Sequence, residues 1–229
     1  MRKVQFAVGE HYHAYNRGVD KRDIFLGPRD YERFLYHLFS CNDTAPLLNS
    51  QFHYRGLASI VNLAVDKRNR LVDIVCFCLM SNHFHLLLRQ RLEDGISKFM
   101  QKMGTAYTMY FNTGQQRNGS LFQGTFKAKH IDQDIYLKHL TRYIHLNPLE
   151  FFEHRWKDSG IVNINGAMKY IREYPWSSYR NFVGENKYGF LLDSKIIKGF
   201  YANRVEYEQF VKDWTAEDKE FLGDYTIEV

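Results

Sequence analysis

The 229-residue sequence contains few of the residues that mark secreted or membrane proteins. It has only four prolines and three cysteines, and an odd number of cysteines does not make a disulfide framework. The longest unbroken apolar run, Ile74–Met80, has seven residues, whereas a membrane helix needs roughly 20. The first residues also lack the apolar core of a signal peptide. These absences favour a cytoplasmic protein that does not enter a membrane.

The residues that are present indicate a globular protein with many aromatic side chains. Hydrophobic residues make up 45% of the chain, charged residues 25% and aromatic residues 16%. The net charge is +5, but residues 203–229 hold eight acids against three bases, so residues 1–202 carry +10. A basic body of this kind fits a protein that binds a polyanion, and exposed aromatic rings can stack on nucleobases.

Hydrophobic periodicity predicts strands alternating with helices over residues 1–150. Asp132 is the expected N-cap of the last helix, which Pro148 should end. The order β-α-β-β-α-β-α is typical of an α+β fold, in which helices pack on an antiparallel sheet. The predicted strands cover 5–16, the two halves of 75–90 and 121–130, and the predicted helices cover 28–40, 92–111 and 133–146.

The remaining residues are predicted to form an insertion and an extension. Residues 42–70 are rich in turn-forming residues and are interpreted as an insertion with a short helix near 57–65. Residues 151–229 are expected to form a mostly helical C-terminal extension. One apolar helix face in this extension should dock on a core, and it consists of Val205, Tyr207, Phe210, Val211 and Trp214.

Two histidines lie on one predicted strand, within the sequence VCFCLMSNHFHLLLRQ of residues 75–90. Because side chains at i and i+2 of a strand share a face, His83 and His85 should project the same way, about 6–7 Å apart. Two imidazoles so placed can bind one divalent metal ion. The alternative is that each is a hydrogen-bonded histidine of the core.

A tyrosine and an asparagine share a face of the last predicted helix. Tyr143 and Asn147 are four residues apart, so an amide oxygen and a phenol lie side by side. A free phenol has a pKa of about 10 and needs help to act as a nucleophile. The alternatives are a packed core phenol at Tyr143, a helix-ending role for Asn147, and Tyr136 as the nucleophile instead.

Basic residues near these groups are candidates for phosphate contacts. Lys127 and Lys129 alternate with smaller residues on a predicted strand, Arg117 lies in a polar loop, and Arg142 precedes Tyr143. Each is equally compatible with an ordinary solvated surface.

A structural zinc site is an alternative interpretation of the strand that carries the two histidines. If Ser81 and Asn82 form a two-residue turn, Cys78 lies opposite His85, and Cys76 lies on the same face. Two thiolates and the histidines would then suit zinc, and the protein would be a binding module. Cysteine is also a common buried strand residue.

Two segments carry a resemblance to a known family. MSNHFHLLL (80–88) resembles the histidine–hydrophobic–histidine strand of the single-tyrosine HUH transposases, the IS200-like family. RYIHLNPLE (142–150) resembles their tyrosine helix. The resemblance covers roughly residues 8–150, and YPWSSYRNFVG (174–184) is similar to the tail of relatives associated with repetitive extragenic palindromes. Many relatives have proline where this chain has Ser81.

The resemblance implies a ferredoxin-like catalytic domain that binds hairpin-forming single-stranded DNA. Tyr143 would attack a phosphodiester, giving a 5′-phosphotyrosine and a free 3′-hydroxyl, and His83, His85 and Asn147 would hold Mg²⁺ or Mn²⁺. It leaves open whether the chain acts as a monomer or a homodimer. Two rival functions remain: a catalytically idle nucleic-acid-binding protein, and a metal-dependent phosphodiesterase that uses water.

Overall fold

Four strands form one sheet in this computed structural model, which describes residues 4–45, 68–214 and 216–223. The strands lie in the order β2-β3-β1-β4, and each neighbouring pair is antiparallel. Among the described residues, a helix lies between β1 and β2 and another between β3 and β4, which is the ferredoxin-like arrangement. The predicted α+β class is therefore confirmed. The strands are β1 (His11–Arg17), β2 (Val72–Leu79), β3 (His83–Gln90) and β4 (Lys127–Ile131).

Three of the helices in the described part of the chain pack on the sheet, and shorter helices follow them. The helices on the sheet are α1 (Pro28–Ser40), α2 (Gly95–Gly114) and α3 (Asp134–Leu146). A 3-10 turn over Asn147–Phe151 continues α3. None of the helices described is both long and apolar enough to cross a membrane. The others are a 3-10 turn at Val19–Lys21, α4 (Trp156–Ser159), α5 (Ile164–Glu173), α6 (Tyr179–Phe182), α7 (Lys195–Lys198), α8 (Arg204–Lys212) and α9 (Ala216–Leu222).

The sheet separates two hydrophobic cores, because side chains alternate between its faces. On one face, Phe84, Leu86 and Leu88 of β3 pack with α1 and α2. On the other, Leu87 packs with α3 and with residues of the extension, including Trp156. His83 and His85 belong to this second face, so α3 and the extension enclose them.

Residues beyond 150 also cover the free edge of β2. Backbone amides of Leu79 and Ser178 donate to carbonyls of Trp176 and Phe77, at 2.9 and 3.0 Å. The amide of Asp193 donates to the carbonyl of Ile74 at 2.8 Å. An exposed strand edge invites pairing with other chains, and this segment occupies it. A domain boundary at residue 150 stays a prediction.

Several element boundaries differ from the predictions. α1 is confirmed at both ends, but β1 begins at His11, and β4 begins at Lys127 because Gly124 adopts a φ of +72° that interrupts an extended strand. Gln133, not Asp132, is the N-cap of α3. Val205 is wrongly assigned to the docking face, since 66% of it is exposed. The helix expected near 57–65 lies outside the described residues.

Candidate active site

The histidine pair lies on the covered face of the sheet, near the start of β3. The ring centroids of His83 and His85 are 4.9 Å apart and their planes are nearly perpendicular. Across the sheet, His83 pairs with Arg17 and His85 with Tyr15. Both histidines are buried, so their rings are held in one arrangement by the strand and by the residues packed over it.

One ring nitrogen of each histidine is occupied by a neighbouring side chain. Nδ1 of His85 shares a hydrogen bond with Nε2 of His13 at 3.0 Å. Nδ1 of His83 lies 2.6 Å from Oδ1 of Asn82 and donates to it. The Nε2 atoms of both rings are buried and have no hydrogen-bond partner among the described residues. A histidine whose second nitrogen is held in this way is the usual form of a metal ligand.

Burial keeps both imidazoles neutral. Desolvation lowers the pKa of His83 to about 3, and the charges of Lys157 and Arg17 act in the same direction. Desolvation also places the pKa of His85 well below its ordinary value, with further contributions from His83 and His13. A neutral imidazole has a lone pair to offer, whereas an imidazolium has none, so both rings are in the state that binds metal.

Helix α3 places Tyr143 against His85, and Asn147 caps the end of the same helix. The Tyr143 ring is fully buried, with its centroid 6.0 Å from that of His85. Asn147 follows one turn later, and its Nδ2 donates to the carbonyl oxygen of Tyr143 at 2.8 Å. This bond fixes the amide orientation. Its Oδ1 is buried without a hydrogen-bond partner in the described part of the chain.

Three unpartnered atoms belong to the residues that the family resemblance implies as metal ligands. Nε2 of His83, Nε2 of His85 and Oδ1 of Asn147 are all buried acceptors. Leaving such atoms unsatisfied costs roughly 1–3 kcal/mol each, and binding to a cation would remove this cost. Two imidazole nitrogens and an amide oxygen suit a divalent cation of intermediate hardness, and water or phosphate oxygens would complete its shell. These residues therefore fit Mn²⁺ or Mg²⁺.

The structural zinc site is not supported. Cys78 does pair with His85 in the register of β2 and β3. However, the described residues contain no group of three or more His, Cys, Asp and Glu side chains placed to hold a metal ion. The Cys78 thiol lies 3.7 Å from the Met80 sulfur, and burial raises the pKa of both Cys76 and Cys78. These cysteines are neutral core residues.

The extension adds residues to the site that sequence reasoning missed. Lys157 of α4 lies with its Nζ 5.4 Å from the centroid of the Tyr143 ring, and it pairs with Glu150. Trp156 and Trp214 pack on Tyr143 at centroid distances of 6.0 and 6.1 Å. No sequence spacing connects these residues to a tyrosine on another helix. His13 was also missed, although its position beside His85 follows once β1 pairs with β3.

Two of the predicted phosphate ligands lie on the histidine face. Lys127 pairs with Tyr15, and Lys129 pairs with His13, so the face of the histidines continues across β1 onto β4. Lys127 is exposed and Lys129 is half-buried. This edge of the sheet is a basic surface next to the histidines.

The other two predicted phosphate ligands lie elsewhere. Arg142 is 2% exposed, and its guanidinium pairs with Asp218 and donates to the carbonyl of Phe210 at 2.9 Å. It binds the extension to α3, which corrects the expectation of a phosphate contact. Arg117 donates to Asn112 Oδ1 and to the carbonyl of Ser120, so it shapes its own loop.

Tyr136, the alternative nucleophile, lies on another side of α3. Its ring stacks on Phe221 of α9 with the centroids 5.0 Å apart. Tyr143 is the tyrosine of this helix whose ring contacts a site histidine.

Comparison with known proteins reveals both a family and a fold. Residues 31–147 match the family described as "Transposase IS200 like". A solved structure of a REP-associated tyrosine transposase bound to a REP hairpin superposes with a TM-score of 0.51 at 15% sequence identity. The superposition covers 84% of this chain and 90% of that chain. No curated protein shows significant sequence similarity to this chain.

Proposed function

Because this chain belongs to the IS200-like transposase family, we propose that it is a single-strand DNA endonuclease and strand transferase that acts through Tyr143. The observation that carries the proposal is the contact of the Tyr143 ring with His85, whose buried Nε2 has no hydrogen-bond partner among the described residues. A phenol beside a cation site is the arrangement that tyrosine attack on a phosphodiester requires.

The substrate we propose is a single DNA strand that carries a hairpin. The solved structure of similar fold is bound to a REP hairpin, and the face that bears His83 and His85 continues into the basic row of Lys127 and Lys129. A strand lying along this row would bring its phosphates toward the histidines. The lysines would position the backbone without reading sequence.

In the proposed reaction, the oxygen of Tyr143 forms a bond to the phosphorus of the scissile phosphodiester and the 3′-oxygen leaves, so the phosphorus stays at the 5′ end of the downstream strand. When bound to His83, His85 and Asn147, Mn²⁺ or Mg²⁺ would polarise the scissile phosphate. Asn82 and His13 hold the two imidazoles in orientation, and Trp156 packs on the Tyr143 ring. Attack by a 3′-hydroxyl on the phosphotyrosine would rejoin strands.

The direct test uses hairpin oligonucleotides from the DNA flanking the gene, labelled at either the 5′ or the 3′ end and incubated with Mn²⁺. We expect a protease-sensitive protein–DNA band on a denaturing gel with the 3′ label only, because a 5′-phosphotyrosine retains the 3′ fragment. Cleavage without an adduct would favour the water-dependent phosphodiesterase. Binding without cleavage on a cognate hairpin would favour the idle DNA-binding protein.

The basic row has its own expected effect. The double substitution Lys127→Ala and Lys129→Ala should weaken the binding of hairpins of any sequence to the same extent. The slope of log K against log salt concentration should fall by about one for each phosphate that the protein no longer neutralises. Fluorescence anisotropy over a salt series measures this slope. Lys169→Ala, at a lysine 76% exposed on α5, is the matched control. An unchanged slope in the double variant would place the DNA elsewhere.

A further inference from the structure

A buried lysine touches the tyrosine that the proposed function makes the nucleophile. The Lys157 side chain is 13% exposed, and its ammonium lies over the Tyr143 ring, 5.4 Å from the centroid. The Tyr143 phenol also acts on the pKa of Lys157 and raises it. This geometry places the positive charge beside the Tyr143 side chain.

The surroundings of Lys157 preserve this charge. Its ammonium is paired with the Glu150 carboxylate, at the end of the same 3-10 turn that begins with Asn147. Burial lowers the pKa of Lys157, but Tyr143 and Glu150 together raise it by more than burial lowers it. The pKa therefore lies above its ordinary value, and the group is an ammonium. An ammonium cannot accept the proton of the phenol. It can only donate a hydrogen bond to the oxygen.

The site around the phenol is apolar, which strengthens the effect of one charge. Trp156 and Trp214 pack on Tyr143 and on each other, with their own centroids 5.2 Å apart. In such surroundings the local dielectric constant is far below that of water, so a hydrogen bond from an ammonium to a developing anion is worth more than at a surface.

We propose that Lys157 is a catalytic residue that stabilises the phenolate of Tyr143, both as the attacking group in cleavage and as the leaving group in rejoining. Glu150 is a positioning residue that holds the ammonium over the ring. The assignment rests on the proposed function, since it gives a role to a group beside its nucleophile. It makes the C-terminal extension part of the active site.

The chemical step balances with water as the only other participant. The Tyr143 proton passes to water, and the phenolate oxygen forms a bond to phosphorus as the bond from phosphorus to the 3′-oxygen breaks. The 3′-oxygen takes a proton from water and becomes a hydroxyl. Lys157 keeps its three protons throughout. In the reverse direction it receives the phenolate as the phosphotyrosine bond breaks.

The experiment compares single-turnover adduct formation at saturating hairpin DNA and Mn²⁺ in the wild type, Lys157→Met and Lys157→Arg. Methionine keeps the length of the side chain without its charge. We expect Lys157→Met to slow adduct formation roughly 10²-fold, the usual effect of losing one transition-state donor, with hairpin affinity within about twofold of the wild type. Lys157→Arg should regain most of the rate. Lys169→Met, on the exposed surface, should leave it unchanged.

A second substrate separates the nucleophile from the leaving group. In a strand with sulfur in place of the bridging 3′-oxygen, the leaving thiolate needs no stabilisation by a proton donor. The Lys157→Met defect should be equally large on this substrate, because the phenolate is still formed. A defect that disappears with sulfur would show that the lysine serves the leaving group, and would overturn the assignment.

Two further results would overturn it as well. One is a Lys157→Met rate equal to that of Lys169→Met, and the other is a loss confined to hairpin affinity. Failure of the proposed function looks different, because the wild type itself would then form no adduct on either substrate. Glu150→Gln should give an intermediate rate, since the lysine keeps its charge but loses its fixed position.

Discussion

Tyr143→Phe is expected to abolish the covalent protein–DNA adduct while the protein remains folded and binds its hairpin. Only the phenolic oxygen can form the bond to phosphorus, so the loss should be at least about 10³-fold. The substitution keeps the ring, and with it the packing on Trp156 and Trp214. Removing one hydroxyl should change the free energy of unfolding by about 1 kcal/mol. Adduct yield, hairpin affinity and urea unfolding measure the three expectations.

Tyr136→Phe is the matched control, because it makes the same change on the same helix. Its ring stacks on Phe221 rather than on a site histidine, so adduct formation should be unaffected. If Tyr143→Phe forms the adduct fully and Tyr136→Phe does not, the nucleophile is Tyr136. Adduct formation in both variants would remove the nucleophile from α3 altogether.

His83→Ala should eliminate both Mn²⁺ binding and Mn²⁺-dependent adduct formation. It removes one of three unpartnered donors, so we expect the adduct rate to fall at least about 10²-fold. His83 is the better target of the two histidines, because truncating His85 would also leave His13 without its partner in the core. Loss of the free Mn²⁺ signal in electron paramagnetic resonance measures binding without any DNA.

His130→Ala controls for the loss of an imidazole on the same sheet. His130 lies on β4, is 41% exposed and pairs with Glu10, so its removal should change neither measurement. Unaltered Mn²⁺ affinity in His83→Ala would contradict the donor set proposed here. Lost Mn²⁺ affinity with normal cleavage would separate the metal from the chemistry.

Local periodicity predicted those parts of the site that lie on a single element. His83 and His85 share a face because a strand repeats every two residues, and Tyr143 and Asn147 are neighbours because a helix repeats every 3.6. The strand-and-helix order likewise indicated the α+β fold that the sheet confirms. The boundaries of β1 and β4 were less predictable. A glycine such as Gly124 can adopt either an extended or a left-handed backbone, and the pairing of strands determines which one it adopts.

The sequence by itself thus determined which side chains each element presents, while the tertiary structure decided which elements meet. Arg142 was expected at a surface, yet the extension folds over α3 and pairs Asp218 with it. Lys157 reaches Tyr143 only because the extension packs on the histidine face of the sheet. Such contacts depend on apolar burial summed over many residues, which is non-directional and carries no signature in local spacing. Hydrophobic periodicity relates residues a few positions apart, whereas the partners of a buried charge can lie far away in the sequence.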